Sequence, residues 1–111
     1  MKNLERLVVC KRTLKTLLDK AGRHPVSNVY VSRHAELDLE YILKAVEEEI
    51  KGKPIDEEVE RLILAKNSLE KFLLRVEKAP SRNIHLSPVM KQDLNYILNY
   101  LDKIIKGAGN E

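Results

Sequence analysis

The sequence has no tryptophan, a single phenylalanine (Phe72) and a single cysteine (Cys10). One cysteine excludes an intrachain disulfide framework and suits a reducing compartment. No apolar run exceeds four residues, a length reached at Leu7–Cys10 and at Leu62–Ala65. That is far short of a membrane-spanning helix. No charged-then-apolar leader opens the chain, so a secretory signal is not expected and the expected location is cytoplasmic. His24, His34, His85 and Cys10 share no ligand spacing, so no metal site is expected. There is no glycine-rich phosphate loop and no nucleophile elbow, and hence no catalytic constellation and no cofactor. The sequence therefore predicts a protein that binds rather than one that turns over a substrate.

What is present is a soluble globular mixture of 33% charged and 43% hydrophobic residues in 111, enough for one domain over residues 1–111. Its strongest feature is a match to itself. Shifted by 55 residues, the segment 2–56 aligns with 57–111 without a gap at 17 identical positions. Chance pairing at about 6% per site gives roughly three. Asp38-Leu39-Glu40-Tyr41-Ile42-Leu43 falls on Asp93-Leu94-Asn95-Tyr96-Ile97-Leu98, and Ile50-Lys51-Gly52 on Ile105-Lys106-Gly107. The sequence reads as a tandem duplication whose halves pack about a pseudo-two-fold axis, joined at Lys51–Asp56.

Each half reads α-β-α. Leu4, Leu7, Val8, Leu14, Leu18 and Ala21 lie on one helical face within Asn3–Ala21, as do Val59, Leu62, Ile63, Leu69, Leu73 and Val76 within Asp56–Lys78. A brief alternation follows: Val29 and Val31 against Asn28, Tyr30 and Ser32, then Ile84 and Leu86 against Asn83, His85 and Ser87. Period-two spacing predicts two short half-buried strands. Helices follow over Ala35–Lys51 and Val89–Lys106, with Ser32 and Ser87 as N-caps and Gly52 and Gly107 at the C-terminal ends. The expected fold is mainly α: four helices and a two-stranded antiparallel ribbon, as (α-β-α)2.

From Val26 to Lys78 the order is strand, helix, helix, and Asn83–Lys106 with the N-terminal helix supplies a second such set. This order resembles that of the ribbon-helix-helix family of DNA-binding proteins, as a permuted, fused dimer. The resemblance implies a ribbon in the major groove whose outward residues touch base edges. Those would be Asn28, Tyr30, Asn83 and His85, with Arg33 and Arg82 holding phosphates. The chain departs from the family where the second helix begins, at Ile55-Asp56-Glu57-Glu58, since an acidic start repels a phosphate.

Charge supports a basic end. Residues 1–34 carry +6, residues 35–77 carry −5 and residues 78–111 carry +2, for +3 overall. The positive end holds Lys11, Arg12, Lys15, Lys20, Arg23 and Arg33. Such a patch can track phosphates or face an acidic protein. The expected function is a nucleic-acid-binding regulator or architectural factor acting on duplex DNA. The alternative is a helical protein-interaction module such as an adaptor, antitoxin-like partner or inhibitor. Either suits a monomeric pseudo-dimer or a homodimer. Tyr41 and Tyr96 are expected at the border of the apolar face, Cys10 small and buried. Asp38 and Asp93 are expected near helix starts in a recurring ion pair.

Overall fold

Each helix starts where a short polar side chain takes up a free backbone N–H. In the computed structural model, which describes residues 3–22 and 27–109, Asn3, Ser32, Asp56 and Ser87 accept bonds from the amides of Arg6, Ala35, Val59 and Met90 at 2.9–3.2 Å. The order is α1 (Leu4–Ala21), β1 (Ser27–Tyr30), α2 (Arg33–Ile50), α3 (Glu57–Lys78), β2 (Asn83–Leu86) and α4 (Pro88–Gly109). Gly22 closes α1 at a φ of 66°, in the left-handed region that glycine enters without a side-chain penalty, and donates its N–H to Leu18. Gly107 does not end a helix as its position suggests, because α4 continues to Gly109. Arg23, His24 and Pro25 lie outside the described residues.

The helices form a four-cornered bundle. α1 packs on α2 and α4, and α3 packs on the same two. Leu7, Leu14, Leu39, Ile42, Leu62, Leu69, Phe72, Leu94, Ile97 and Leu101 are sealed from water at the centre. Burial of one such side chain stabilises by about 1.5–3 kcal/mol, so this shared core outweighs any single polar contact.

The two strands pair antiparallel, with Asn28 opposite His85, Val29 opposite Ile84 and Tyr30 opposite Asn83. β1 lies against α1 and β2 against α3. Val29, Val31, Ile84 and Leu86 are buried beneath. The antiparallel pairing is the condition on which the ribbon reading of the sequence depended.

Two buried carboxylates tie the helices together. Asp38 of α2 accepts a 2.6 Å bond from the Thr13 hydroxyl of α1, and the Arg6 guanidinium of α1 stands 2.8 Å from its other oxygen. At positions 55 further on, Asp93 of α4 accepts a bond from Ser68 and lies 2.9 Å from Arg61, both on α3. Arg6 lies over the Tyr41 ring and Arg61 over the Tyr96 ring, at 5.4 and 4.6 Å from the centroids. Each carboxylate thus has its own arginine and hydroxyl, which accounts for both residues without acid–base chemistry. Cys10 is buried near Asp38, and burial first, then that charge, pushes its thiol up to about 11. It stays protonated at neutral pH and is no nucleophile.

Thr13→Ala and Ser68→Ala each remove a donor to a buried carboxylate. Each is expected to cost about 1–3 kcal/mol, read as a lower urea midpoint at unchanged slope.

Candidate nucleic-acid interface

Alternation in an antiparallel pair sends every second side chain outward, and pairing then sets outward residues of both strands side by side. Asn28, Tyr30, Asn83 and His85 all project from the exposed face of the ribbon, and Tyr30 is 59% exposed. Directly opposed side chains in such a pair stand about 4.5–5.5 Å apart at Cβ. The four groups therefore fill two rungs of the outer face, Asn28 with His85 and Tyr30 with Asn83, with the inward Val29–Ile84 rung between them. They offer amide, phenol and imidazole donors and acceptors, and neither strand contains an acid. A two-stranded ribbon is of a width that the DNA major groove admits.

The ribbon is bordered on the β1 side by a groove of about 460 Å³ between α1 and the start of α2. Arg12, Thr16 and Lys20 come from α1, one turn apart on a single stripe, and His34 comes from α2. Tyr30 forms the shared edge of groove and ribbon. Ser32, which caps α2, also lines the groove, so the positive end of that helix opens onto it. No acidic side chain lines this groove. Beneath it, His34 Nε2 stands 3.5 Å from the buried carboxylate of Asp38.

The basic residues expected from the sequence divide into three groups. Arg12 lies beside the ribbon. Lys11 turns toward α4 and pairs with Asp102 at 2.7 Å, while Lys15 is exposed and pairs with Asp19 at 3.2 Å. Arg33 and Arg82 converge on Glu36, which is buried at the end of the ribbon. Arg82 also donates from Nε to the Val31 carbonyl at 2.7 Å, and its φ of 58° lets its own carbonyl accept from Val31 N–H. It acts as a clasp between the strands rather than as an outward cation. Lys20 belongs to the basic patch read from the sequence, whereas nothing in the sequence marks Thr16 and His34 as ribbon neighbours beyond the spacing of Arg12, Thr16 and Lys20 on one polar stripe. Among the described residues there is no cluster of three metal-ligating side chains, and no helix is long and apolar enough to cross a membrane.

Arg82 first, and then Arg33, hold the Glu36 carboxyl below its ordinary value of 4.5. A depressed folded value makes this pairing stabilising above about pH 4.5, and the contribution fades as pH falls from there toward the folded value. Glu36→Gln is expected to lower stability at neutral pH and to flatten this part of the acid limb. Urea midpoints measured on both sides of pH 4.5 check it.

No protein family matches this chain, and neither the curated proteins nor the solved structures offer a match.

Proposed function

We propose that this protein binds duplex nucleic acid, with duplex DNA as the preferred form, and does so without turnover, as a regulator or architectural factor. The ribbon enters the major groove. Asn28 and Asn83 read base edges, with Tyr30 and His85 beside them, and the cations at the ribbon's border hold the backbone. The observation that carries this reading is the outer face of the ribbon: four exposed polar side chains from opposite halves of the chain, free of acids and bordered by Arg12 and Lys20.

The chemistry of the face supports it. An asparagine amide matches the N6 and N7 edge of adenine with two bonds, and a good bidentate contact is worth about 1–3 kcal/mol of discrimination. A phosphate in the groove would meet Arg12, Lys20, the Thr16 hydroxyl and the positive end of α2. At positions 55 further along, Lys71 and Arg75 are exposed on α3, the helix that packs beside β2. They supply cations for the second strand of a duplex. Arg33 is 66% exposed at the side chain and adds to the same border despite its bond to Glu36.

With Arg12, Lys20, Lys71 and Arg75 as the phosphate contacts, the log–log salt slope is about −3.6, so affinity for a mixed-sequence duplex is expected to fall about a hundred-fold between about 50 and 200 mM salt. Arg12→Ala and Lys20→Ala are expected to weaken binding to all sequences alike and each to flatten the slope by about one. Asn28→Ala and Asn83→Ala relax sequence preference and leave the urea midpoint unchanged, because both side chains are exposed. Fluorescence polarisation followed by site selection measures all of these. No binding at about 50 mM salt, or binding insensitive to every one of these substitutions, contradicts the proposal. In that event the alternative protein-interaction role becomes the working reading.

A further inference from the structure

We infer that copies of this chain associate head to tail, the acidic α2–α3 groove of one copy receiving the basic α1–α4 face of the next. This contact uses no ribbon residue and shares only Arg33 with the border of the proposed nucleic-acid face.

In the bundle, α1 and α3 each pack on α2 and α4. The α2–α3 and α1–α4 grooves therefore lie on opposite sides of the molecule. The α2–α3 groove is a depression of about 420 Å³. Its floor is Leu43, Leu73 and Leu74, with Leu74 50% exposed. Glu36, Glu40, Glu70 and Glu77 surround that floor, and the one cation in the lining, Arg33, is already paired with Glu36. Glu40 and Glu77 form no ion pair among the described residues. Glu70 stands 3.9 Å from Lys66, which leaves Glu40 and Glu77 as the uncompensated acids of the rim. An apolar floor beside them favours an occupant that is apolar at its centre and basic around it.

The opposite side of the same chain has that character. Lys11 of α1 reaches Asp102 of α4 at 2.7 Å, and Lys106 reaches it at 3.0 Å. Lys15 follows Lys11 by one turn on the same stripe of α1 and pairs with Asp19 at 3.2 Å, so the face has an excess of cations over acids. On α4 the residues Lys91, Asn95, Leu98, Asp102 and Lys106 recur at helical spacing on one stripe. Leu18 and Leu98 are half-buried there. Positions 55 apart make the relation explicit. Leu18 corresponds to Leu73 and Leu98 to Leu43, so the apolar centre is kept. Lys15 corresponds to Glu70 and Lys91 to Glu36, so the sign is reversed at these two positions, while Lys11 and Lys106 keep the sign of Lys66 and Lys51.

Two faces of like build and opposite charge on opposite sides of one chain form a heterologous contact, which propagates as a row rather than closing as a two-fold dimer. Between exposed side chains such a contact is weak and is screened by salt, since the Debye length falls to about 3 Å at 1 M.

Sedimentation velocity on the full chain tests this. At about 20 mM salt the weight-average mass is expected to rise from 12.8 kDa in dilute solution to at least twice that at high protein concentration. In about 1 M salt it returns to the single-chain value. Glu70→Lys and Lys15→Glu are each expected to stay monomeric, since the first sets a cation in the acidic groove against the lysines of the next copy and the second sets an acid on the basic face against its glutamates. An equimolar mixture of the two restores association. Both substitutions are at exposed positions, and a native circular-dichroism spectrum shows each variant folded. Glu40→Lys replaces Glu70→Lys if that one fails to fold. Four outcomes overturn the inference: a single-chain mass at every concentration in low salt, association that persists in both charge variants, association that strengthens with salt, or a mixture that stays monomeric.

Discussion

The interface proposed above depends on the pairing of two four-residue strands that are far apart in the chain. A strand of that length has no stability of its own, and a lone two-stranded ribbon is marginal in water. β1 and β2 persist because Val29, Val31, Ile84 and Leu86 are buried on the bundle beneath them. Arg82 adds two bonds with Val31, one from its guanidinium and one through its carbonyl. Register follows from burial. A slip of one residue in either strand would expose its valines or isoleucine and bury its asparagine, so the core itself dictates that Asn28, Tyr30, Asn83 and His85 face outward.

Much of this fold is legible in the sequence, and for identifiable reasons. Helical periodicity is long and regular, and each helix has its capping residue one step before it. The alternation of Val29 and Val31 with Asn28 and Tyr30 is short, but its counterpart 55 residues later makes it readable. Contacts across the bundle are a different matter. Arg6 and Thr13 find Asp38 only once α1 and α2 are side by side. Arg82 reads as a surface cation until its left-handed backbone and the neighbouring Val31 carbonyl are known. Charge counted along the chain merges Lys11, Arg12 and Lys15 into one block. On a helix adjacent residues diverge by about 100°, so Arg12 lies beside the ribbon while Lys11 faces α4. His34 looks isolated in sequence because its neighbours in the groove come from another helix.

The same geometry explains how a chain with a modest net charge of +3 can present a strongly basic border. Its acids are not spread evenly. Glu40, Glu70 and Glu77 gather on the α2–α3 side, and Glu36 is consumed by two arginines. The ribbon and the groove beside it are left free of carboxylates in their lining. Separation of charge, more than its total, sets which ligands each face can hold.

The most direct test of the central claim is an amide NMR titration of isotope-labelled protein with a short mixed-sequence DNA duplex at low salt. The account predicts shifts at residues 28–30 and 83–85 together with the α1 stripe from Arg12 to Lys20, all moving with one affinity. A spectrum unchanged by DNA, or shifts confined to α2 and α3 away from the ribbon, would contradict it.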